Sequence, residues 1–134
     1  ILRKIESKID AKIIYCTNMK WEDAMENLKA SRLLVIPSRM ESIPQVIKEA
    51  FYLKIPIIAT NVGGIPELIT DNKTGILIPP NDPKSLENAI SKLLADNQTS
   101  KRLSDAGYEF VMENLTWEIL LPKYINFYKD LQKS

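Results

Sequence analysis

The sequence predicts an α/β fold, Rossmann-like, with helices on both faces of a small parallel sheet (a three-layer α/β/α arrangement) and a helical C-terminal end. Three observations carry that expectation. Four short apolar runs, at residues 12–16 (KIIYC), 33–36 (LLVI), 57–60 (IIAT) and 76–78 (ILI), are rich in Ile and Leu and do not alternate with polar residues. Strands buried on both faces have this character. Stretches of helical periodicity separate the runs, and such alternation builds βαβ units with right-handed crossovers. Beyond residue 82 only helical patterns follow.

The elements can be justified in order. A helix is expected before Lys12, which would place the first strand of a usual Rossmann-like unit upstream of Ile1 and leave the sheet incomplete on that side. Residues 21–30 put Ala24, Met25 and Leu28 on one helical face. Residues 44–53 do the same for Val46, Ile47, Ala50 and Phe51. Asp82 followed by Pro83 reads as an N-cap with proline at the first helical position. The helix it opens carries Leu86, Ala89, Ile90, Leu93 and Leu94. Residues 99–113 follow with Leu103, Ala106, Phe110 and Val111. Thr116 can cap a last helix over 117–132, whose apolar face is Trp117, Leu120, Leu121, Tyr124, Ile125, Tyr128 and Leu131, with Pro122 as a source of a kink. The run from Pro79 to Pro83 reads as a rigid loop and not as a linker, so residues 1–134 form a single domain.

The bulk numbers exclude several classes. Eighteen Lys and Arg against 17 Asp and Glu leave a net charge of +1, which gives no support for nucleic acid as a partner. The longest apolar run falls far short of the ~20 residues that span a bilayer. One cysteine, Cys16, and no histidine rule out an internal disulfide and make a Cys/His zinc site untenable, so no metal is expected. Cys16 lies in an apolar run and is expected in the core, as are Trp21 and Trp117; a reducing, cytoplasmic setting fits. Without histidine, acid–base work falls to carboxylates, backbone amides or another domain.

In doubly wound sheets ligands bind outside the carboxyl ends of the strands. Four loops leave those ends, at residues 17–20, 37–43, 61–65 and 79–83. In the second, Ser42 and Gln45 have the spacing of a capping box, with Ser42 as N-cap. Free N–H groups at that helix start favour an anion. Glu41 lies just before it and Glu49 two turns in, away from the apolar face, where a carboxylate can accept from a vicinal diol. Spacing alone favours the plainer reading, a solvated helix glutamate at Glu49 and a loop surface charge at Glu41, because glutamate is mostly exposed. In the third loop, Gly63-Gly64 permits unusual backbone angles and close approach of a ligand. Taken alone it is also a plain strand-to-helix turn.

The motifs together say more. The run from Pro37 to Ile90, PSRMESIPQVIKEAFYLKIPIIATNVGGIPELITDNKTGILIPPNDPKSLENAI, resembles the C-terminal domain of retaining glycosyltransferases of family 4, the C-terminal half of a GT-B fold. The features stand in family order: Pro-Ser after a buried strand, the Glu41-x7-Glu49 pair, IPIIAT, GGIPELI, TGILIPP, and Trp117 with Tyr124 near the end. The resemblance covers nearly all of residues 13–131. It implies that Glu49 binds the nucleotide ribose and that Glu41, the catalytic glutamate, contacts the transferred sugar. It implies that the backbone of Ser42, Ile43, Pro44 and Gln45 meets sugar and diphosphate. It further implies that Thr17, Asn18 and Met19 border the base, with Gly63 and Gly64 in the cleft. The donor would be a UDP-, GDP- or ADP-sugar, transferred to a glycan, lipid or other acceptor with retention and with no cofactor or essential metal. Polysaccharide biosynthesis is a typical setting for such enzymes, and peripheral membrane association of the whole protein is compatible with them.

The same resemblance implies a partner: an N-terminal acceptor domain outside this sequence, without which this piece would be inactive. A non-catalytic donor-binding subunit of a split glycosyltransferase is the alternative, and a GT-B sugar-nucleotide epimerase fits the motifs less well. Three residues depart from the family pattern. Pro44 replaces a usual Gly and removes one backbone donor, Ile43 replaces an aromatic residue, and Lys54 replaces a usual Gly at a helix end, where a left-handed turn would be strained or reshaped.

Overall fold

The computed structural model describes Glu6, Ile9 and residues 11–132. The helix expected before Lys12 otherwise lies outside the described residues. The elements are α1 (Trp21–Lys29), β1 (Leu34–Ile36), α2 (Gln45–Tyr52), β2 (Ile57–Thr60), α3 (Ile65–Leu68), β3 (Ile76–Ile78), α4 (Pro83–Ala95), α5 (Asn97–Asn114) and α6 (Trp117–Leu131). The sheet is parallel in the order β1-β2-β3, with Val35 opposite Ile58 and Ala59 opposite Leu77.

Side chains of β2 point alternately to two cores, as a strand covered on both faces must. Ile57 and Ala59 join Ile47, Ala50 and Phe51 of α2, and Ile65 and Leu68 of α3. Ile58 joins Leu86, Ala89, Ile90 and Leu93 of α4. Helix α5 closes the edge: Val111 belongs to the first core and Leu103 to the second. Phe51, fully buried, meets Phe110 edge-on at 6.2 Å. Gly107 of α5 makes room for that ring, because a Cβ there would lie 2.3 Å from Phe51 Cδ1. Asp82 caps α4 as expected, accepting from the N–H groups of Lys84 and Ser85. Asp96 caps α5 by accepting from the Thr99 N–H, so that helix starts two residues earlier than its apolar pattern suggests.

Several expectations fail. Residues 12–16 form no strand, so the sheet has three strands among the described residues and not four. The segment finds no ladder partner there, and β-structure without a neighbouring strand leaves its backbone groups unpaired. Ile14, Tyr15 and Cys16 are exposed, which removes Cys16 from the core. Trp21 and Trp117, expected to pack, are 63% and 72% exposed. Helix α6 has the expected apolar pattern and Pro122 inside it, yet buries no residue.

The capping box also fails. Helix α2 begins at Gln45 with Pro44 as N-cap and no side-chain cap bond. Proline's own ψ of 121° is extended, so Ser42 stands two residues outside the helix. Its carbonyl instead accepts from the Gly64 N–H at 2.8 Å. Lys54 does adopt the left-handed conformation, at φ 56°. The turn keeps its ordinary form: Ile55 N–H bonds the Ala50 carbonyl and Lys54 N–H bonds that of Phe51, the paired closure of a Schellman motif. The Lys54 side chain offsets part of the strain through Asp105 at 3.0 Å and the Tyr108 ring at 4.7 Å.

Candidate functional site

Strands β1, β2 and β3 end at Ile36, Thr60 and Ile78, on one side of the sheet because they are parallel. Thr60 is buried, and its hydroxyl donates to the carbonyls of Ser38 at 2.6 Å and Ile36 at 3.4 Å. That ties the loop leaving β1 to the end of β2. The Ser38 hydroxyl then donates to Glu41 Oε2 at 3.3 Å, and the Ser42 N–H donates to Glu41 Oε1 at 3.2 Å. The half-buried Glu41 carboxylate is thus folded back onto its own loop.

The loop after β2 closes against the same place. Gly63 has φ 53°, a conformation open to glycine at little cost. A Cβ on Gly63 would lie 1.7 Å from the Glu41 carbonyl oxygen, and one on Gly64 would lie 2.4 Å from that of Ser42. The structure therefore brings Glu41, Ser42, Gly63 and Gly64 into direct backbone contact. Beside them the start of α2 presents unbonded donors. The N–H groups of Ile43, Gln45 and Val46 have no partner among the described residues, while that of Ser42 is taken by Glu41 and Pro44 has none. The backbone donors at this place are thus fewer than the run Ser42–Gln45 suggests.

Glu49 lies on α2, half-buried. Its Oε1 accepts from the Trp21 indole N–H at 3.2 Å, which joins α2 to the start of α1. Thr17, Asn18 and Met19 lead into α1, with Asn18 left-handed at φ 54° and the Met19 sulfur accepting from Asn27 at 3.4 Å. Among the described residues no hydrogen bond joins them to Glu41 or Glu49. Sequence reasoning missed Ser38, Thr60 and Trp21. Ser38 stands three residues before Glu41, and Thr60 is a polar end to an apolar run, so both left a trace. Trp21 left none beyond an aromatic at a loop end.

A cleft of about 500 Å³ opens at the same strand ends, between Pro37 and Arg39 on one side and Asn81, Asp82 and Pro83 on the other, with Tyr15 at its rim. None of Glu41, Ser42 and Glu49 lines it, although Thr60, which bonds the loop that carries Glu41, does. In the cleft the Ser85 hydroxyl and N–H, joined by the Lys84 N–H, hold the Asp82 carboxyl below the usual carboxylate range, so it stays ionised as a helix cap. Among the described residues no group of three or more His, Cys, Asp or Glu is placed to hold a metal ion. No helix among them is long and apolar enough to cross a membrane.

Residues 3–110 match the family model of glycosyl transferases group 1. The chain belongs to that family. It is 30% identical over 111 residues to an uncharacterized glycosyltransferase of Methanocaldococcus jannaschii, covering 83% of this chain and 31% of that protein. Its fold superposes with a TM-score of 0.81 on a sucrose-phosphate synthase from Thermosynechococcus elongatus, at 27% identity, over 98% of this chain and 34% of that one. The Anabaena protein HepE, solved with UDP-glucose, shares the fold at a TM-score of 0.74 and 21% identity, over 78% of this chain and 29% of that one. The chain spans about a third of the length of these proteins.

Proposed function

We propose that the protein is a retaining glycosyltransferase of family 4 and that this chain binds its nucleotide-sugar donor. The observation that carries the reading is the meeting of two strand-end loops, Glu41–Ser42 against Gly63–Gly64, at the open start of the helix that bears Glu49. Three backbone N–H groups without a partner among the described residues, at Ile43, Gln45 and Val46, stand where a diphosphate or sugar hydroxyls would be received. Glu49 Oε2 has no partner among the described residues and can accept from the ribose diol. Glu41, held by Ser38 and the Ser42 amide, contacts the hydroxyls of the transferred sugar and fixes its anomeric carbon.

Transfer forms a bond from the acceptor oxygen to the anomeric carbon and breaks the bond from that carbon to the diphosphate oxygen. The electron pair leaves with the nucleoside diphosphate. Attack on the face the phosphate leaves retains configuration, and the acceptor proton passes to a phosphate oxygen. The chain has no histidine to compete for that proton. Its own residues bind and orient, and a second, acceptor-binding domain completes the cleft in this reading. Pro44 lacks the N–H that a glycine would offer, so orientation of the diphosphate falls more heavily on the neighbouring amides.

The test is turnover of UDP-, GDP- and ADP-sugars by the protein at its natural length, with Glu49→Ala alongside. One donor should be hydrolysed or transferred, and the variant should use it poorly. Undiminished donor use by Glu49→Ala refutes the site.

A further inference from the structure

We infer that Trp21 is a nucleoside-binding residue of this site: its indole N–H fixes the Glu49 carboxylate, and its exposed ring takes the donor base by stacking. The inference rests on Glu49 as the ribose carboxylate. Trp21 is the first residue of α1, and its side chain reaches Glu49 across 28 residues of sequence. A tryptophan 63% exposed leaves a large apolar surface in water, and no aromatic ring among the described residues covers it. Among the described residues its one directed side-chain contact is with the carboxylate assigned to the ribose.

Nucleoside geometry connects the two functions. A carboxylate offers about four lone-pair sites, so Oε1 can hold the indole while Oε2 takes the diol. The ribose C2′ is bonded to C1′, which carries the base. A ring tied to the carboxylate that holds the 2′-hydroxyl is therefore within reach of the base. Stacking on an indole accepts any base, because each has a π face. Residues 17–19 stand just before Trp21, separated from it by Lys20, on the approach to α1.

The experiment measures dissociation constants for UDP, GDP and ADP by calorimetry, and donor KM and kcat, on the protein at its natural length. Wild type is compared with Trp21→Phe, Trp21→Leu and Glu49→Gln. Trp21→Leu should weaken the preferred nucleotide by about tenfold or more, the scale of one lost base–aromatic stack. Trp21→Phe keeps a ring and loses the N–H, so it should fall between Leu and wild type. Donor KM should rise with kcat held and the melting midpoint unchanged, a split that a general loss of packing would not give. Glu49→Gln weakening the nucleotide while Trp21→Leu leaves it unchanged overturns the inference alone. A nucleotide affinity indifferent to Glu49→Gln, or no binding of any of the three, overturns the site reading and the inference with it.

Discussion

Gly63→Ala is the sharpest test of how the site is built. Two costs follow from the structure. The left-handed backbone at φ 53° charges an L side chain about 1–2 kcal/mol. The new methyl would sit 1.7 Å from the Glu41 carbonyl oxygen, so the two must separate by about 1.7 Å to reach the 3.4 Å of an ordinary contact. Overpacking of that kind costs about 1–3 kcal/mol. Against the ~5–15 kcal/mol that holds a domain together, the variant should still fold. The relief comes through movement of residues 41–42, because the opposing atom is backbone and cannot swing aside. A catalytic group misplaced by about 1 Å can lose about a hundredfold in rate. Transfer by Gly63→Ala should therefore drop by roughly that factor while the melting midpoint falls only moderately. Gly75→Ala is the control: its Cβ would meet Ile69 Cγ2 at 3.0 Å and the Ile57 carbonyl at 3.1 Å, away from the glutamate loop. It should lower stability and leave turnover intact. Wild-type kcat in a folded Gly63→Ala protein would refute the contact between the two loops as the support of Glu41.

Four further outcomes are expected. Glu41→Gln should lower kcat with donor KM nearly held, whereas Glu49→Gln should raise donor KM; steady-state kinetics separates them, and the reverse pattern would exchange the two roles. Thr60→Val removes the bond that ties Ser38 to the end of β2, so transfer should weaken more than a loss of stability of about 1 kcal/mol accounts for, read by turnover beside denaturant unfolding. Gly107→Ala should destabilise although alanine is the better helix former by about 1 kcal/mol, because its Cβ would lie 2.3 Å from the buried Phe51 ring; a higher unfolding midpoint would count against that packing. The carboxyls of Asp82 and Asp96 are lowered below 3.8, chiefly by the hydroxyls of Ser85 and Thr99. Their contribution is complete above the unfolded pKa and lost as pH falls through the folded one, so melting midpoints should drop below about pH 4, less steeply in Asp82→Ala/Asp96→Ala.

How much of this was legible in the sequence depends on where each residue's partner lies. The strands were readable as unbroken apolar runs, and the helices α2 and α4 because their own apolar periodicity names the face that is buried: Ile47, Ala50 and Phe51 for one, Leu86, Ala89, Ile90 and Leu93 for the other. The glutamate loop was readable as a strand-end loop, and the resemblance marked Glu41 and Glu49. The direct contact of Glu41 with Gly63 was not, since it depends on how two loops from neighbouring strands approach each other, and no local pattern encodes that distance. The Trp21–Glu49 bond is of the same kind, spanning 28 residues between two helices.

Two of the errors share a physical origin. KIIYC has the composition of a buried strand and α6 has a complete apolar face, yet among the described residues the first pairs with no strand and the second buries no side chain. Periodicity states that a surface is built to be covered; it does not state what covers it. A strand's backbone groups need a neighbour's, and a helix's stripe needs an opposing surface, so both readings depend on a second party that the segment does not contain. The capping box failed by the opposite route. Ser42 and Gln45 have the required spacing, but Pro44 between them lies in an extended conformation, and the Ser42 carbonyl bonds Gly64 instead. The serine that a spacing rule assigns to the helix is used by the neighbouring loop. That exchange leaves the first amides of α2 uncapped by any side chain, and in the proposed function it is these amides, beside Glu41, that would receive the donor.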